Sequence, residues 1–173
     1  MPIAAEDLAR QNIDRLLDAA GWIIQNRESA NITAGRGVAI REFPMKKGHG
    51  EADYLLFVDG AASGVIEAKR KGETLTGVEF QTQKYSEGVP KHVPCLRHPL
   101  PFRYQSTGVE TRFTSLLDPE ARSRQLFAFH ARHIGFVRRQ CRSRTYQWLS
   151  PCRTRCKQHP GPSDHRLPQA PAA

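Results

Sequence analysis

One short stretch constrains the fold more than any other part of the chain: residues 50–71, which read GEADYLLFVDGAASGVIEAKRK. Two apolar runs, 52–58 and 64–69, flank the pair Asp59-Gly60, and an Asp-Gly pair in this setting is a strong signal for a β-hairpin. The sequence therefore predicts a hairpin, yet one that carries charges where a core strand would be apolar. These charges are Asp53, Glu67 and Lys69.

The register of this hairpin decides what the charges can do. Alternation along a strand predicts that Asp53 shares one face with Leu55 and Phe57. Pairing centred on Gly60 places Asp53 directly across from Glu67, and a slip of one residue would invert the faces. Two carboxylates at cross-strand distance repel, more strongly where apolar neighbours exclude water. A Mg²⁺ ion would turn that repulsion into binding, whereas charges on a solvated edge strand account for the spacing equally well.

The rest of the ordered pattern predicts further helices and strands. A spacing of three between Thr76 and Glu79 is that of a capping box, which opens a helix. Residues 22–24 form a short apolar stretch without a clear assignment. The predicted elements are helices over 4–20 and 76–88, a strand over 38–43, a second hairpin over 102–106 and 110–113, and a strand over 125–130.

Length and hydropathy limit the class of protein. A chain of 173 residues suits one ordinary domain with a real core. No apolar run approaches the length of a membrane span, and the start of the chain is acidic and amphipathic, unlike a signal peptide. We therefore expect a cytoplasmic protein without a membrane partner.

The basic charge is confined to the last part of the chain. The formal net charge is +9, but residues 131–173 hold 9 Lys and Arg against one acid, Asp164, which leaves 17 Lys and Arg against 16 acids in residues 1–130. The last part has no sustained period and ends in Pro and Ala, a composition typical of disorder. Cys152, Cys156 and His159 are close enough in sequence to suggest a zinc site. A second pair of ligands at a recognisable spacing is lacking, so unpaired thiols are the favoured interpretation.

Two residues of the second helix extend the candidate site. Gln81 and Tyr85 are four residues apart and so share a helix face. Both can donate hydrogen bonds to phosphate or base, and the helix follows the strand of Glu67 and Lys69 after a short loop. Taken alone, Gln81 and Tyr85 are more often a surface amide and a half-buried ring.

The order of these motifs resembles the PD-(D/E)XK nuclease superfamily, in the branch with an additional Gln-x-x-x-Tyr motif. Four stretches narrow the resemblance to the N-terminal nuclease domain of the R (HsdR) subunit of type I restriction endonucleases: GHGEADYLLFVDG, GVIEAKRKGETLTGVEFQTQKY, LPFRYQSTGVETRF and DPEARSRQLFAFH. The resemblance covers roughly residues 5–130. It implies a restriction-endonuclease-like α/β fold, with a mixed central sheet flanked by helices.

The resemblance also implies a Mg²⁺-dependent endonuclease that acts on double-stranded DNA. It assigns metal binding to Asp53 and Glu67 with the carbonyl of Ala68, and positioning or activation of the attacking water to Lys69. By the same resemblance, Gln81 and Tyr85 contact DNA or orient the active site. Two further residues match less well. Glu6 is interpreted as a first-turn acid that favours the helix dipole, and His49 as a loop residue.

The last part of the chain departs from the family. We expect two parts, a nuclease domain over 1–130 and a basic, disordered tail over 131–173. A frameshifted end of a truncated R subunit is the favoured interpretation of the tail, and an Arg-rich DNA-binding arm is the alternative. No Walker-type motif occurs in the sequence, so the ATP-driven motor of full-length family members, which act with methylation and specificity subunits, is not expected in this chain.

Three functions follow from this pattern. The first is cleavage of DNA as the nuclease part of a type I restriction-modification system. The second is a non-catalytic DNA-binding or assembly fragment that lacks the motor needed for cleavage. The third is a stand-alone repair-type nuclease of the same superfamily.

Deletion of residues 131–173 tests the predicted tail. Because a disordered segment adds little to a folded core, the melting temperature should stay nearly unchanged, as measured by circular dichroism on the full chain and on the deletion variant. A large drop would show that the tail packs against the domain.

Overall fold

The computed structural model describes residues 5–75 and 79–131, and the side chains of residues 5, 79 and 80 are not considered. Its centre is one sheet of seven strands that lie side by side in chain order. Two α-helices and one short 3-10 helix accompany the sheet in this part of the chain. The helices are α1 (Ala5–Ala19), α2 (Glu79–Glu87) and the 3-10 helix Arg27–Ser29, and the strands are β1 (Ile23–Asn26), β2 (Gly37–Pro44), β3 (Glu51–Val58), β4 (Ala61–Ala68), β5 (Phe102–Ser106), β6 (Thr111–Ser115) and β7 (Arg124–Leu126).

The sheet is mixed, as the sequence predicts. The pairs β1–β2 and β4–β5 are parallel, and the other four neighbouring pairs are antiparallel. A parallel pair needs a long connection, and α2 lies in the one between β4 and β5. This α/β architecture is compatible with a restriction-endonuclease-like fold.

Each face of the sheet buries its own apolar cluster. Ile13 and Leu17 of α1 pack with Tyr54, Ile66 and Tyr104 on one face. The cluster on the other face lies on the side of α2, and it contains Val38, Ile40, Leu55, Phe57, Val65, Val89 and Leu100. Strands covered on both faces must be apolar along their whole length, which explains the near-continuous apolar runs of β3 and β4.

The central hairpin forms with the predicted register near the site. Asp59 and Gly60 both have positive φ, 49° and 77°, as a two-residue type I′ turn requires. A bulge at Ser63 then adds one residue to β4, and the Ser63 hydroxyl donates to the carbonyl of Leu56 (3.1 Å). Beyond the bulge Tyr54 pairs with Ile66, so Asp53 and Glu67 are the next residues toward the strand ends.

Other predicted elements differ from the structure mainly at their bounds. The first helix and the second hairpin are confirmed, and the 38–43 strand is observed as β2. The short apolar stretch at residues 22–24 continues into β1, which the sequence analysis left unassigned because four residues carry too little pattern. The helix predicted over 76–88 is observed as Glu79–Glu87, and Thr76 of the capping box lies outside the described residues.

The strand predicted over 125–130 is only three residues long, because the chain then turns into the core. Phe129 is buried among aromatic rings, and the Trp22 indole N–H donates to the carbonyl of His130 (2.9 Å). The Tyr104 hydroxyl lies 2.8 Å from Nδ1 of His130. The ordered packing thus reaches the end of the predicted domain.

Residues 132–173, with Cys152, Cys156 and His159, lie outside the described residues. No helix in the described part of the chain is long and apolar enough to cross a membrane.

Substitution of Gly64 should separate β4 from β5. A Cβ atom at Gly64 would lie 2.7 Å from the Phe102 carbonyl oxygen, a backbone atom of the neighbouring strand that cannot move alone. We expect Gly64→Ala to lower the free energy of unfolding by about 1–3 kcal/mol in urea denaturation. Gly35→Ala is the matched control, because its Cβ would meet only the flexible end of the Ile23 side chain, at 2.5 Å. Equal losses for the two variants would contradict this account.

Candidate active site

The charged residues of the hairpin come together at one end of the sheet. A cavity of about 170 Å³ opens where β3 begins, β4 ends and the first turns of α1 pass over them. Nearly all of its lining is charged. The lining residues are Glu6, Arg10, Asp53, Glu67, Ala68 and Lys69.

Asp53 is held by two donors. Its Oδ2 accepts the backbone N–H of Ala68 at 2.8 Å, and its Oδ1 accepts a hydrogen bond from Arg10 Nη2 at 2.7 Å. The strand ladder between β3 and β4 ends at Tyr54, so the carboxylate takes the amide that the next ladder bond would have used. Asp53 is therefore tied both to the neighbouring strand and to α1.

The face of Asp53 differs from the prediction. Leu55 and Phe57 pack into the cluster on the α2 side, whereas Asp53 bonds to Arg10 of α1. The backbone is irregular at this point: Glu42 of β2 has φ of 49°, and Glu42 and Asp53 are the one opposed pair missing from the otherwise continuous pairing of β2 and β3. Ile40 and Phe43 face the same cluster although they are three residues apart, and so do Ala52 and Leu55. Strict alternation therefore fails at Glu42 and Asp53, although the register of the two strands is the same on either side of this pair.

Glu67 is the most buried charged group of the site. Its residue is 5 % exposed, and as a carboxylate its Oε2 accepts no hydrogen bond from the described residues. Only protonation of Glu67 allows a hydrogen bond between its carboxyl group and that of Asp53. Glu67 Oε1 accepts a hydrogen bond from Lys69 Nζ at 2.9 Å. Burial, and then the negative charge of Asp53, raise the pKa of Glu67 to about 7, although Lys69 opposes the shift. This carboxyl is thus short of positive charge even with Lys69 in contact.

The end of β4 fixes Lys69 and Ala68. The backbone N–H of Lys69 donates to the Ser106 carbonyl at 2.8 Å, which continues the parallel pairing with β5. Ala68 lines the cavity between the two charged residues. The structure therefore brings all three residues of the predicted Glu-Ala-Lys motif to the same cavity as Asp53.

The two residues predicted on α2 are placed differently. The Tyr85 ring packs beside the cluster on the α2 side, and burial together with the charges of Glu67 and Asp53 raises the pKa of Tyr85 to about 12. Gln81, one turn earlier, is exposed, and it is not part of the cavity lining. Tyr85 thus lies near the carboxylates, whereas Gln81 faces solvent.

Two weaker candidates are also placed. Glu6 lines the cavity and accepts a hydrogen bond from Arg70 at 2.9 Å, so it is closer to the site than its interpretation as a helix-dipole acid implied. His49 lies in the loop before β3, with its side chain packed against Gly88. Its placement agrees with the loop interpretation.

Arg10 and Gln105 are the site residues that the sequence analysis missed. Arg10 is one of many surface-type residues on an amphipathic helix, and only the tertiary structure brings it to Asp53. Gln105 pairs with Glu67 across β4 and β5 and is 1 % exposed. Its amide donates to the Thr82 hydroxyl at 3.1 Å, while its Oε1 has no partner among the described residues. Nothing in the mixed sequence of β5, FRYQS, sets Gln105 apart.

The donor set suits a hard divalent cation. Two carboxylates lie close together, and one of their oxygens is buried without a partner, so the site can gain free energy from an added positive charge. No group of three or more His, Cys, Asp and Glu side chains with metal-site geometry occurs in residues 5–75 and 79–131. A cation here would therefore depend on the carboxylate pair, a backbone carbonyl and waters, which is the usual ligand set for Mg²⁺.

Comparison with known proteins identifies one related family. A family model described as "Type I restriction enzyme EcoKI endonuclease subunit second domain" matches residues 21–110, which is more than half of the chain. The match includes Asp53, the Glu67-Ala68-Lys69 motif and α2. No curated protein and no solved structure matches the chain.

The raised pKa of Glu67 predicts a pH-dependent loss of stability in chelator-treated protein. Glu67 binds a proton more tightly in the folded chain, with a pKa of about 7, than in the unfolded chain, where it is near 4.5. Its contribution to stability is thus full below pH 4.5 and is lost as the pH rises to about 7. The side chain introduced by Glu67→Gln does not ionise, so this variant does not lose that contribution. Between pH 4.5 and about 7, the free energy of unfolding of Glu67→Gln should therefore rise relative to that of the parent chain by about 2 kcal/mol.

Urea denaturation at a series of pH values measures this difference. Glu51→Gln is the control, because Glu51 is exposed and pairs with Arg27 instead (3.0 Å). Parallel pH profiles for Glu67→Gln and the parent chain would contradict the prediction.

Proposed function

Because this chain belongs to the family of the type I restriction enzyme endonuclease subunit, we propose that its domain cleaves DNA by hydrolysis of phosphodiester bonds with a bound Mg²⁺ ion. One observation carries the proposal: Asp53 and Glu67 line the same cavity, and Glu67 Oε2 is buried without a partner in the described part of the chain. Each acid has a cationic partner, Arg10 for Asp53 and Lys69 for Glu67. A purely structural pair of acids would also be expected to have every buried oxygen hydrogen-bonded, whereas a site that receives a cation leaves an oxygen open for it.

Asp53, Glu67 and the carbonyl of Ala68 would hold the cation. When bound, Mg²⁺ lowers the pKa of a coordinated water and stabilises negative charge on the phosphate. The two carboxylates contribute by their position, since each is fixed on a different strand and neither has to be recruited from a loop.

Lys69 would hold and orient the attacking water and stabilise the phosphate. Its ammonium contacts Glu67 Oε1 at 2.9 Å, and its side chain is 21 % exposed, so it can reach both the carboxylate pair and an incoming substrate. A fixed cation beside the developing negative charge lowers the barrier to phosphoryl transfer. Tyr85 and the exposed Gln81 would contact the DNA at the side of α2.

The partners in this proposal follow from the family. The substrate is double-stranded DNA, and the domain would act in the cytoplasm with the methylation and specificity subunits of a type I complex. Since the sequence contains no Walker-type motif, ATP would be used elsewhere in such a complex. The two-part organisation, with a nuclease domain over 1–130 and a tail over 131–173, belongs to the same proposal.

Nicking of supercoiled plasmid tests the proposed chemistry. The purified full chain should convert supercoiled to open-circular DNA with Mg²⁺ and not with chelator. Asp53→Ala, Glu67→Ala and Lys69→Ala should each reduce the rate at least about 100-fold, because each removes a group from the reacting centre. Gel quantification over time measures the rates.

The matched control is Glu51→Ala, which removes an exposed acid of the same strand. It should nick DNA at the parent rate. Nicking that survives all three site substitutions would overturn the assignment. A chain that binds Mg²⁺ through Asp53 and Glu67 but does not nick DNA would favour the non-catalytic DNA-binding or assembly function instead.

A further inference from the structure

Arg10 bridges two carboxylates at the rim of the cavity. Its Nη2 donates to Asp53 Oδ1 at 2.7 Å, and its Nη1 donates to Glu42 Oε1 at 3.1 Å. Asp53 is 14 % exposed at the side chain, whereas Glu42 is 51 % exposed. One guanidinium thus connects an inner acid of the candidate metal site with an outer acid of β2.

This contact competes with a cation for Asp53. The other oxygen, Oδ2, is held by the backbone N–H of Ala68, which is fixed in the sheet. The Arg10 side chain is 38 % exposed and can rotate, so Oδ1 is the oxygen that can be released. A positive side chain on this oxygen both occupies a ligand position and repels a divalent cation.

Glu42 supplies a reason for the second contact. Its φ of 49° lies in the left-handed region, which is costly for a residue other than glycine. Despite this cost the position holds a glutamate, and the irregular backbone directs its carboxylate to Arg10. A strained residue beside a candidate site is a pointer to function.

We propose that Arg10 is a positioning residue which shields Asp53 in the cation-free domain and is retained by Glu42 when a divalent cation takes its place. This inference rests on the proposed function, because it concerns the same pair of carboxylates. It adds two residues, Arg10 and Glu42, to the site. It also links occupancy of the site to α1, which carries Arg10.

A double-mutant cycle with Mn²⁺ as the probe tests this inference. Electron paramagnetic resonance of the free ion measures the affinity of the full chain without DNA. Arg10→Met should tighten binding about fivefold, because it removes the competitor for Asp53. Glu42→Gln should weaken binding by a similar factor, because Arg10 then has no alternative partner and stays on Asp53.

The double variant separates this device from a simple charge effect. With Arg10 replaced by Met, the Glu42→Gln substitution should change the affinity by less than about twofold. A simple loss of negative charge would weaken binding equally in both backgrounds, and that result would overturn the proposal. Unchanged affinity in Arg10→Met would overturn it as well.

Two control variants complete the design. Arg41→Met breaks a similar contact from the sheet to α1, Arg41 to Asp14 at 2.7 Å, away from the cavity, and it should leave the Mn²⁺ affinity unchanged. Glu51→Gln removes an exposed acid near Asp53 without touching Arg10. If Arg10→Met does not fold, as judged by circular dichroism, Glu42→Gln is compared with Glu51→Gln, since the two acids are similarly exposed at 51 % and 47 %. Equal affinities in these two variants would overturn the proposal.

The proposed function and this inference fail in different ways. Asp53→Asn and Glu67→Gln should abolish Mn²⁺ binding. If the parent chain shows no binding that depends on these carboxylates, the metal site itself is wrong, and both proposals fall. If binding depends on them but is insensitive to Arg10 and Glu42, only the role of Arg10 falls.

Discussion

The site depends on the repulsion between two carboxylates that the sheet brings together. Asp53 lies near the start of β3 and Glu67 near the end of β4. These two strands form a hairpin whose register is fixed by an Asp-Gly turn and a bulge at Ser63. Without compensation, two such acids in a partly buried cavity would oppose folding. The chain compensates Asp53 with Arg10 and an amide, and Glu67 with Lys69, but one oxygen of Glu67 stays without a partner in the described part of the chain. That incomplete compensation is the physical basis for proposing a cation site.

Helix α1 is more closely connected to the site than its amphipathic pattern indicates. Its apolar stripe packs on the sheet, and its polar side adds ion pairs and hydrogen bonds to the sheet. Asp14 pairs with Arg41 at 2.7 Å and accepts the Tyr54 hydroxyl at 2.8 Å, and burial followed by the charge of Asp14 raises the pKa of Tyr54. Together with the Arg10–Asp53 contact, the Asp14–Arg41 ion pair holds the helix to β2 and β3 in addition to the apolar packing. Movement of α1 would therefore change the electrostatics at Asp53.

The sequence predicts those parts of the structure that local rules control. The turn at Asp59-Gly60 and the amphipathic first helix follow from turn chemistry and periodicity. The predicted pairing of Tyr54 with Ile66 is also observed, but it depends on the bulge at Ser63, which was not predicted. The contact of Asp53 with α1 was not predicted, because it lies at a local break in the alternation at Glu42 and Asp53 that the residue types do not indicate. Arg10 and Gln105 were missed for a related reason, since contacts between distant segments depend on the tertiary fold. The roles of Gln81 and Tyr85 stay predictions.

The most direct test of the central claim is a crystal structure of the chain grown with Mn²⁺, with anomalous scattering to locate the ion. We expect an anomalous peak about 2.1 Å from carboxylate oxygens of both Asp53 and Glu67, at the end of β4. We also expect that Arg10 contacts Glu42 and no longer Asp53. A cavity in which Arg10 still bonds to Asp53 and no ion lies between the two acids, at a Mn²⁺ concentration that supports cleavage, would contradict the account.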